Sequence, residues 1–202
     1  PEAAVKALTA NKAAVLWAAA ILLCVGLGAW QVGQGLYIMA KAELAQVLLE
    51  RAWAKTLEDG KPHKAWSWAD TWPVAKIEFP SLGESRIVLS NTSGEALAFG
   101  PGHLLGSPLP GSTGTSVIAG HRDTHFSLLR DLKNDDIVIL TSVDGTGREY
   151  KIRESKIVLA DNSRIDPRAA AGLVLVTCYP FDARERGPLR YAVFANEKPD
   201  AS

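Results

Sequence analysis

Residues 136–158 read DIVILTSVDGTGREYKIRESKIV. Two runs rich in valine and isoleucine, DIVILTSV (136–143) and EYKIRESKIV (149–158), lie on either side of DGTG (144–147). β-branched side chains fit a pleated, half-buried surface, and Asp-Gly gives the backbone freedom a tight reversal needs. The stretch therefore predicts two strands joined by a turn. Outward from it the same texture recurs in VAKIEF (74–79), RIVLS (86–90), TSVIAG (115–120), LVLVTC (173–178) and RYAVFA (190–195). Only short helical pieces such as SLLRDL (127–132) fit between them, and DNS (161–163) marks another turn. At least seven strands in about 120 residues predict an all-β barrel or sandwich from position 74 onward. No internal repeat interrupts the pattern.

The chain ahead of position 74 has a different composition. Between Ala13 and Ala40 there is no charged residue, and the densest part is AVLWAAAILLCVGLGAW, Ala14 to Trp30. About 20 apolar residues suffice for a helix to cross a bilayer, and Trp17 and Trp30 sit where interface anchors would. A buried core helix is the bland alternative, but a 202-residue chain rarely encloses so long an uncharged helix. A cleaved signal peptide has a shorter apolar region and a small-residue cleavage site after it, so an uncleaved transmembrane signal anchor is expected. Lys6 and Lys12 precede the segment with only Glu2 against them, whereas Lys41 is balanced by Glu43. That bias puts the N-terminus in the cytoplasm and the remainder outside it.

Residues 41–57, KAELAQVLLERAWAKTL, repeat apolar side chains at helical spacing through Ala45, Leu48, Leu49, Ala52 and Trp53, and Gly60 and Pro62 close the run. This is expected to be a juxtamembrane helix. Trp66, Trp68 and Trp72 follow within seven residues. They read as a small packing cluster or a membrane-surface contact ahead of a ligand platform. The expected organisation is a cytoplasmic tail (1–12), a transmembrane anchor (13–35), a juxtamembrane helix with a tryptophan-rich linker (36–73) and a β domain (74–198).

Charge and cysteine content narrow the function. Lys+Arg 22 against Asp+Glu 22 gives zero net charge, without the basic surplus of a nucleic-acid-binding chain. Two cysteines make neither a disulfide scaffold nor a four-ligand zinc site by themselves. Cys24 lies in the apolar segment, which leaves Cys178 as the single thiol of the exported part. Cys178 ends a strand. His121 follows another strand in AGHRDTHF, and Arg184, Arg186 and Arg190 come shortly after the cysteine. A thiol nucleophile needs a partner that favours the thiolate and an acid for the leaving amine, and histidine serves both purposes. A guanidinium supplies a fixed fork of donors for an oxyanion. Taken singly, each residue is as well explained as a buried small hydrophobe, a turn residue or a solvated charge. Their common placement at strand termini favours an acyl-transfer set on one end of a barrel. Arg184 and Arg186 lie in the polar run DARERG, whereas Arg190 opens the last strand and is the arginine favoured for the site.

These strings are similar to those of the sortases. VIAGHRDTHF (117–126), LVTCYPF (175–181) and GPLRY (187–191) resemble that family, as does FGPGHLLGSPLPGSTG (99–114) ahead of the histidine strand. The family signature is Thr-Leu-x-Thr-Cys on one strand and an arginine on the next. Leu175, Val176, Thr177 and Cys178 match it, and Val174 replaces the first threonine. The resemblance implies an eight-stranded β-barrel and a membrane-anchored cysteine transpeptidase. Cys178 would be the nucleophile, His121 the general acid and then base, Arg190 the substrate and oxyanion donor, and Thr177 a supporting residue. It further implies a partner, an exported protein with an LPxTG-like C-terminal sorting signal, cleaved after its threonine and passed to an amine that the sequence does not identify. The tryptophan-rich stretch looks most like the proteobacterial branch.

No cofactor is expected. His103 and His125 come without HExxH or CxxC spacing, so no metal is assigned to the chemistry, and no acidic set for calcium is evident. Two other functions compete. A membrane-anchored cysteine hydrolase would share the acyl-enzyme step. A non-catalytic tethered β-domain would leave His121 and Arg190 without a joint task.

Overall fold

The structure, a computed structural model, describes residues 2–160, 172–183, 185 and 187–198. The turn signal at 161–163 and the side chains of Arg184 and Arg186 lie outside the described residues. The chain divides into two compact units, Pro1–Leu44 and Ala45–Ser202.

Helix α1 runs over Glu2–Asp59 without a break. Two helices were expected here, an anchor and a juxtamembrane segment, and the chain makes one. The reason is compositional. Positions 36–59 contain neither glycine nor proline and are dominated by Ala, Leu, Glu, Lys, Gln and Arg, the strong helix formers. The stop falls at Gly60, at φ +69, whose N–H donates to the Thr56 carbonyl at 2.8 Å in a left-handed cap. In the first unit Trp17, Ile21, Leu22, Leu23, Val25, Leu27 and Trp30 are all more than half exposed. The helix is long and apolar enough to cross a membrane, with a mean hydropathy of 1.5 in its apolar window.

In the second unit, Ala45, Leu49, Ala52 and Trp53 of α1 are buried. Leu49 and Trp53 pack with Ile87, Leu89 and Ala96, and Phe99 closes over them. The strands are β1 (Pro73–Phe79), β2 (Glu84–Leu89), β3 (Gly102–His103), β4 (Thr115–Ala119), β5 (Ile137–Ser142), β6 (Gly147–Leu159), β7 (Gly172–Cys178) and β8 (Leu189–Glu197). They form a closed barrel in the order β1-β2-β3-β4-β7-β8-β6-β5. Neighbours are antiparallel except β2–β3 and β4–β7, which are parallel. Every strand run read from the sequence is present. Two elements were not read from it: β3, whose two residues are too short for a periodic signal, and helix α2 (Gly94–Phe99).

Both have local causes. Ser93 caps α2, its hydroxyl accepting from the Ala96 N–H at 3.0 Å, which satisfies a donor the first helical turn leaves free. At Gly102 a Cβ would lie 2.0 Å from the Asn91 carbonyl oxygen, so only glycine lets the two backbones approach. Inside the barrel Ile77, Phe79, Val88, Ile118, Leu140, Ile152, Leu173 and Leu175 form the core, sealed by Phe126 and Leu129. Strand β7 is buried on its second face too. Val174 packs outward with Val117 and Ala192, which explains the near-continuous apolar run LVLV. The valine that departs from the sortase signature thus sits in an apolar contact where it needs no hydroxyl partner.

Candidate active site

The parallel pairing of β4 and β7 brings the ends of two distant segments together. Ala119 pairs with Val176, and the Gly120 N–H donates to the Val176 carbonyl at 3.0 Å. His121 and Cys178 therefore leave adjacent strands at the same end of the barrel. Strand β8 enters there from the opposite direction, and its register sets Arg190 directly across from Cys178. Alternation along β7 turns Leu173, Leu175 and Thr177 to one face and Val174, Val176 and Cys178 to the other. Thr177 is buried, and its hydroxyl donates to the Gly120 carbonyl at 2.7 Å. That bond fastens the end of β7 to the residue preceding His121.

A cleft of about 310 Å³ opens here, lined by His121, Cys178, Thr177 and Arg190 together with Thr92 and Leu97. All four residues singled out in the sequence converge on it. Cys178 is a free thiol, partly accessible. Arg190 donates through Nη1 to the carbonyls of Gly187 at 2.8 Å and Leu189 at 2.9 Å. A guanidinium carries five N–H donors, so anchoring Nη1 in this way leaves Nη2 and Nε to a ligand in the cleft. Thr92 and Leu97 were passed over in the sequence. The signal that could have found them is the helix-start pattern at Ser93 with Glu95 in the first turn.

The other candidate side chains do different work. His103 is buried, and its Nε2 lies 3.1 and 3.0 Å from the carbonyl oxygens of Ser107 and Pro108. Two carbonyl acceptors require Nε2 to carry a proton, so this ring is a structural donor that ties down the 104–108 turn. His125 contacts the Ala98 carbonyl at 3.4 Å, and burial holds its pKa below the ordinary value of 6.5, with Arg86 and His121 acting in the same direction. Among the described residues no group of three His, Cys, Asp or Glu side chains gathers for a metal ion. Trp66 stacks at a tilt on Trp68 and edge-on to Phe99, with centroids 5.4 and 4.7 Å apart, while Trp72 packs against the barrel core. The tryptophans thus divide between two packing sites and make no common platform. A larger cavity of about 500 Å³, lined by Trp72, Pro73, Ser90, Leu105, Leu109 and Val143, lies at the strand ends away from the thiol. It contains neither Cys178 nor His121.

A free thiol and an imidazole sharing a cleft at the mouth of a closed barrel is the layout of a cysteine enzyme. The sortase-domain family model matches residues 77–198. The chain is 31% identical over 149 residues to Sortase D of Bacillus subtilis (strain 168), across 72% of this chain and 74% of that relative. Among solved structures it is similar to Sortase A from Corynebacterium diphtheriae, with a TM-score of 0.57 at 29% identity. That match covers 65% of this chain and 63% of the other. Sortase C-1 from Actinomyces oris aligns with a TM-score of 0.54 at 29% identity, covering 63% of this chain and 73% of the other. The chain belongs to the sortase family, and so to the cysteine transpeptidases.

Proposed function

We propose that the protein is a membrane-anchored sortase that cleaves an LPxTG-like C-terminal sorting signal and transfers the target protein to an amine. The Cys178 thiolate attacks the carbonyl carbon of the signal's threonine. The resulting oxyanion is held by the free edge of the Arg190 guanidinium. His121 protonates the departing nitrogen as the C–N bond breaks, leaving a thioester on Cys178. An incoming amine gives its proton to His121 and attacks the thioester, forming the new amide and releasing the thiolate. Thr177 supports the pair through its bond to Gly120. The observation that carries this reading is the register of β7 against β8, Cys178 opposite Arg190, with His121 in the same cleft.

The organisation proposed with it is a cytoplasmic tail over 1–12, an anchor over 13–35, a connecting segment over 36–73 and the catalytic barrel over 74–198. In this reading the N-terminus lies in the cytoplasm and the barrel on the outer side of the cytoplasmic membrane. The run of exposed apolar side chains from Trp17 to Trp30 supports the anchor, and Lys6 and Lys12 support the sidedness. The proteobacterial branch rests on the tryptophan-rich stretch at 66–72.

The test is to incubate the full chain in detergent with an LPxTG-type peptide, with and without a small amine, and to follow products by mass spectrometry. An adduct on Cys178 and an amine-dependent amide are expected. His121→Ala should slow acylation by about 10²–10⁴. Cleavage surviving in Cys178→Ala overturns the reading, and a product indifferent to amine makes the enzyme a hydrolase.

A further inference from the structure

Arg122 follows His121 directly, and the chemistry above gives it no task. Its Nη2 crosses to the loop after Cys178, donating to the carbonyls of Ala183 at 2.5 Å and Glu185 at 2.8 Å. The two partners lie 61 and 63 residues further along the chain. The guanidinium therefore bridges the two loops that rise from the paired ends of β4 and β7. It is partly buried, and its Nη1 is enclosed with no hydrogen-bond partner among the described residues. A surface arginine serving solubility would keep that nitrogen in water.

The loop that Arg122 grips runs from Cys178 to Arg190 and holds Arg190 at its other end, through the Gly187 and Leu189 carbonyls. The Tyr179 N–H donates to the Leu189 carbonyl at 3.1 Å across its base, and aromatic contacts add to that. Phe181 packs edge-on to Tyr179 and Tyr191 at 6.1 and 5.2 Å, and Arg130 lies over the Phe181 ring at 4.9 Å. Those contacts fix the first residues after the thiol. Arg122 grips the middle of the loop and joins it to the loop bearing His121.

We infer that Arg122 is a positioning residue, whose two backbone hydrogen bonds hold the thiol-and-arginine loop in register with the imidazole loop. The inference rests on the assignment of Cys178, His121 and Arg190 proposed above. Both bonds leave one nitrogen, Nη2, whose two N–H groups are held in fixed directions by the guanidinium plane, whereas the N–H donors of an ammonium rotate on a flexible stem. The reacting groups need sub-ångström placement, and small misplacements lower rate more than affinity.

The experiment compares the full-length wild type with Arg122→Ala, Arg122→Lys and, as a control, Arg148→Ala. Arg148 forms a 2.6 Å ion pair with Glu197 at the barrel end away from the cleft, so its loss removes a guanidinium link of similar kind. Cleavage of an LPxTG-type peptide gives kcat and KM, and thermal unfolding reports stability. The expected result is a fall in kcat of at least about tenfold in Arg122→Ala, with KM within about twofold. Arg122→Lys should recover only part of it, and Arg148→Ala should keep its kcat. Normal kcat in Arg122→Ala, in a protein that Cys178→Ala inactivates, refutes the positioning role and leaves the site assignment standing. Equal losses in Arg122→Ala and Arg148→Ala reduce the effect to general destabilisation and also refute it. Cleavage by Cys178→Ala removes the assignment beneath the inference.

Discussion

Replacing Thr177 by valine and by serine separates two accounts of why that side chain is there. Valine keeps the volume and shape of threonine and deletes the hydroxyl, whereas serine keeps the hydroxyl and deletes a methyl group. Thr177 is 2% exposed, and its hydroxyl reaches the Gly120 carbonyl at 2.7 Å. If packing dominates, valine is the milder change, because serine forfeits about 0.8 kcal/mol for one buried carbon. If the hydrogen bond dominates, the ranking reverses. Valine then loses the net worth of a bond, about 1 kcal/mol, and leaves a buried acceptor unpaired, for a total of about 2–3 kcal/mol. For a domain of this size that is a fall in Tm of roughly 4–12 °C. The same bond fixes the residue before His121, so Thr177→Val should also lower kcat/KM for peptide cleavage, while Thr177→Ser stays near wild type. Thermal unfolding monitored by circular dichroism gives the first quantity and peptide cleavage the second. A Thr177→Val protein as stable and active as Thr177→Ser would refute the argument.

Two further outcomes follow from packing and protonation. Leu49→Ala should destabilise the protein by about 2–5 kcal/mol in urea unfolding, because Leu49 is 1% exposed against Trp53, Ile87, Leu89 and Ala96. It should also raise KM, since Ala96 neighbours the cleft residue Leu97, and a loss below about 1 kcal/mol would mean that the end of α1 does not pack firmly on β2 and α2. His125 has a folded-state pKa below 6.5, so as pH falls the unfolded chain takes up the proton first. Stability from this group is complete above 6.5 and declines as pH drops below it. Thermal unfolding of His125→Gln should therefore depend less on pH between roughly 7 and 5 than that of wild type, and superimposable curves would contradict this.

The parts of the fold that could be read in the sequence are those governed by local periodicity. The Asp-Gly turn at 144–145 and the alternating runs on either side of it became β5 and β6, and LVLVTC became all of β7 but its first residue, Gly172. The periodic face of 41–57 became the buried Ala45, Leu49, Ala52 and Trp53. Pairing partners across the barrel were beyond such reasoning. Nothing local to TSVIAG says that it lies parallel to a strand more than fifty residues later. The family resemblance supplied the grouping of His121, Cys178 and Arg190 that strand patterns alone only suggested. Arg122 stood in the quoted string AGHRDTHF and went unnoticed, because its partners are backbone carbonyls, which carry no residue signature. Helix α1 was divided in two for a related reason. The change from apolar to charged residues at Lys41 alters what the helix faces but not its tendency to continue.

The parallel pairing of β4 with β7 also sets an order on how the protein matures. Cys178 and Arg190 are twelve positions apart on antiparallel neighbours, a short loop closure that a chain completes early. His121 meets Cys178 across a stretch of sequence that contains the whole of β5 and β6, and contacts of long sequence separation carry the larger loop-closure cost. On the proposed assignment, a newly made chain thus carries its thiol through much of its folding without the imidazole that would put it to use. Nucleophilic reactivity at Cys178 then reports the closing of the barrel, and the rate at which it returns on refolding is a clock for the last long-range contact.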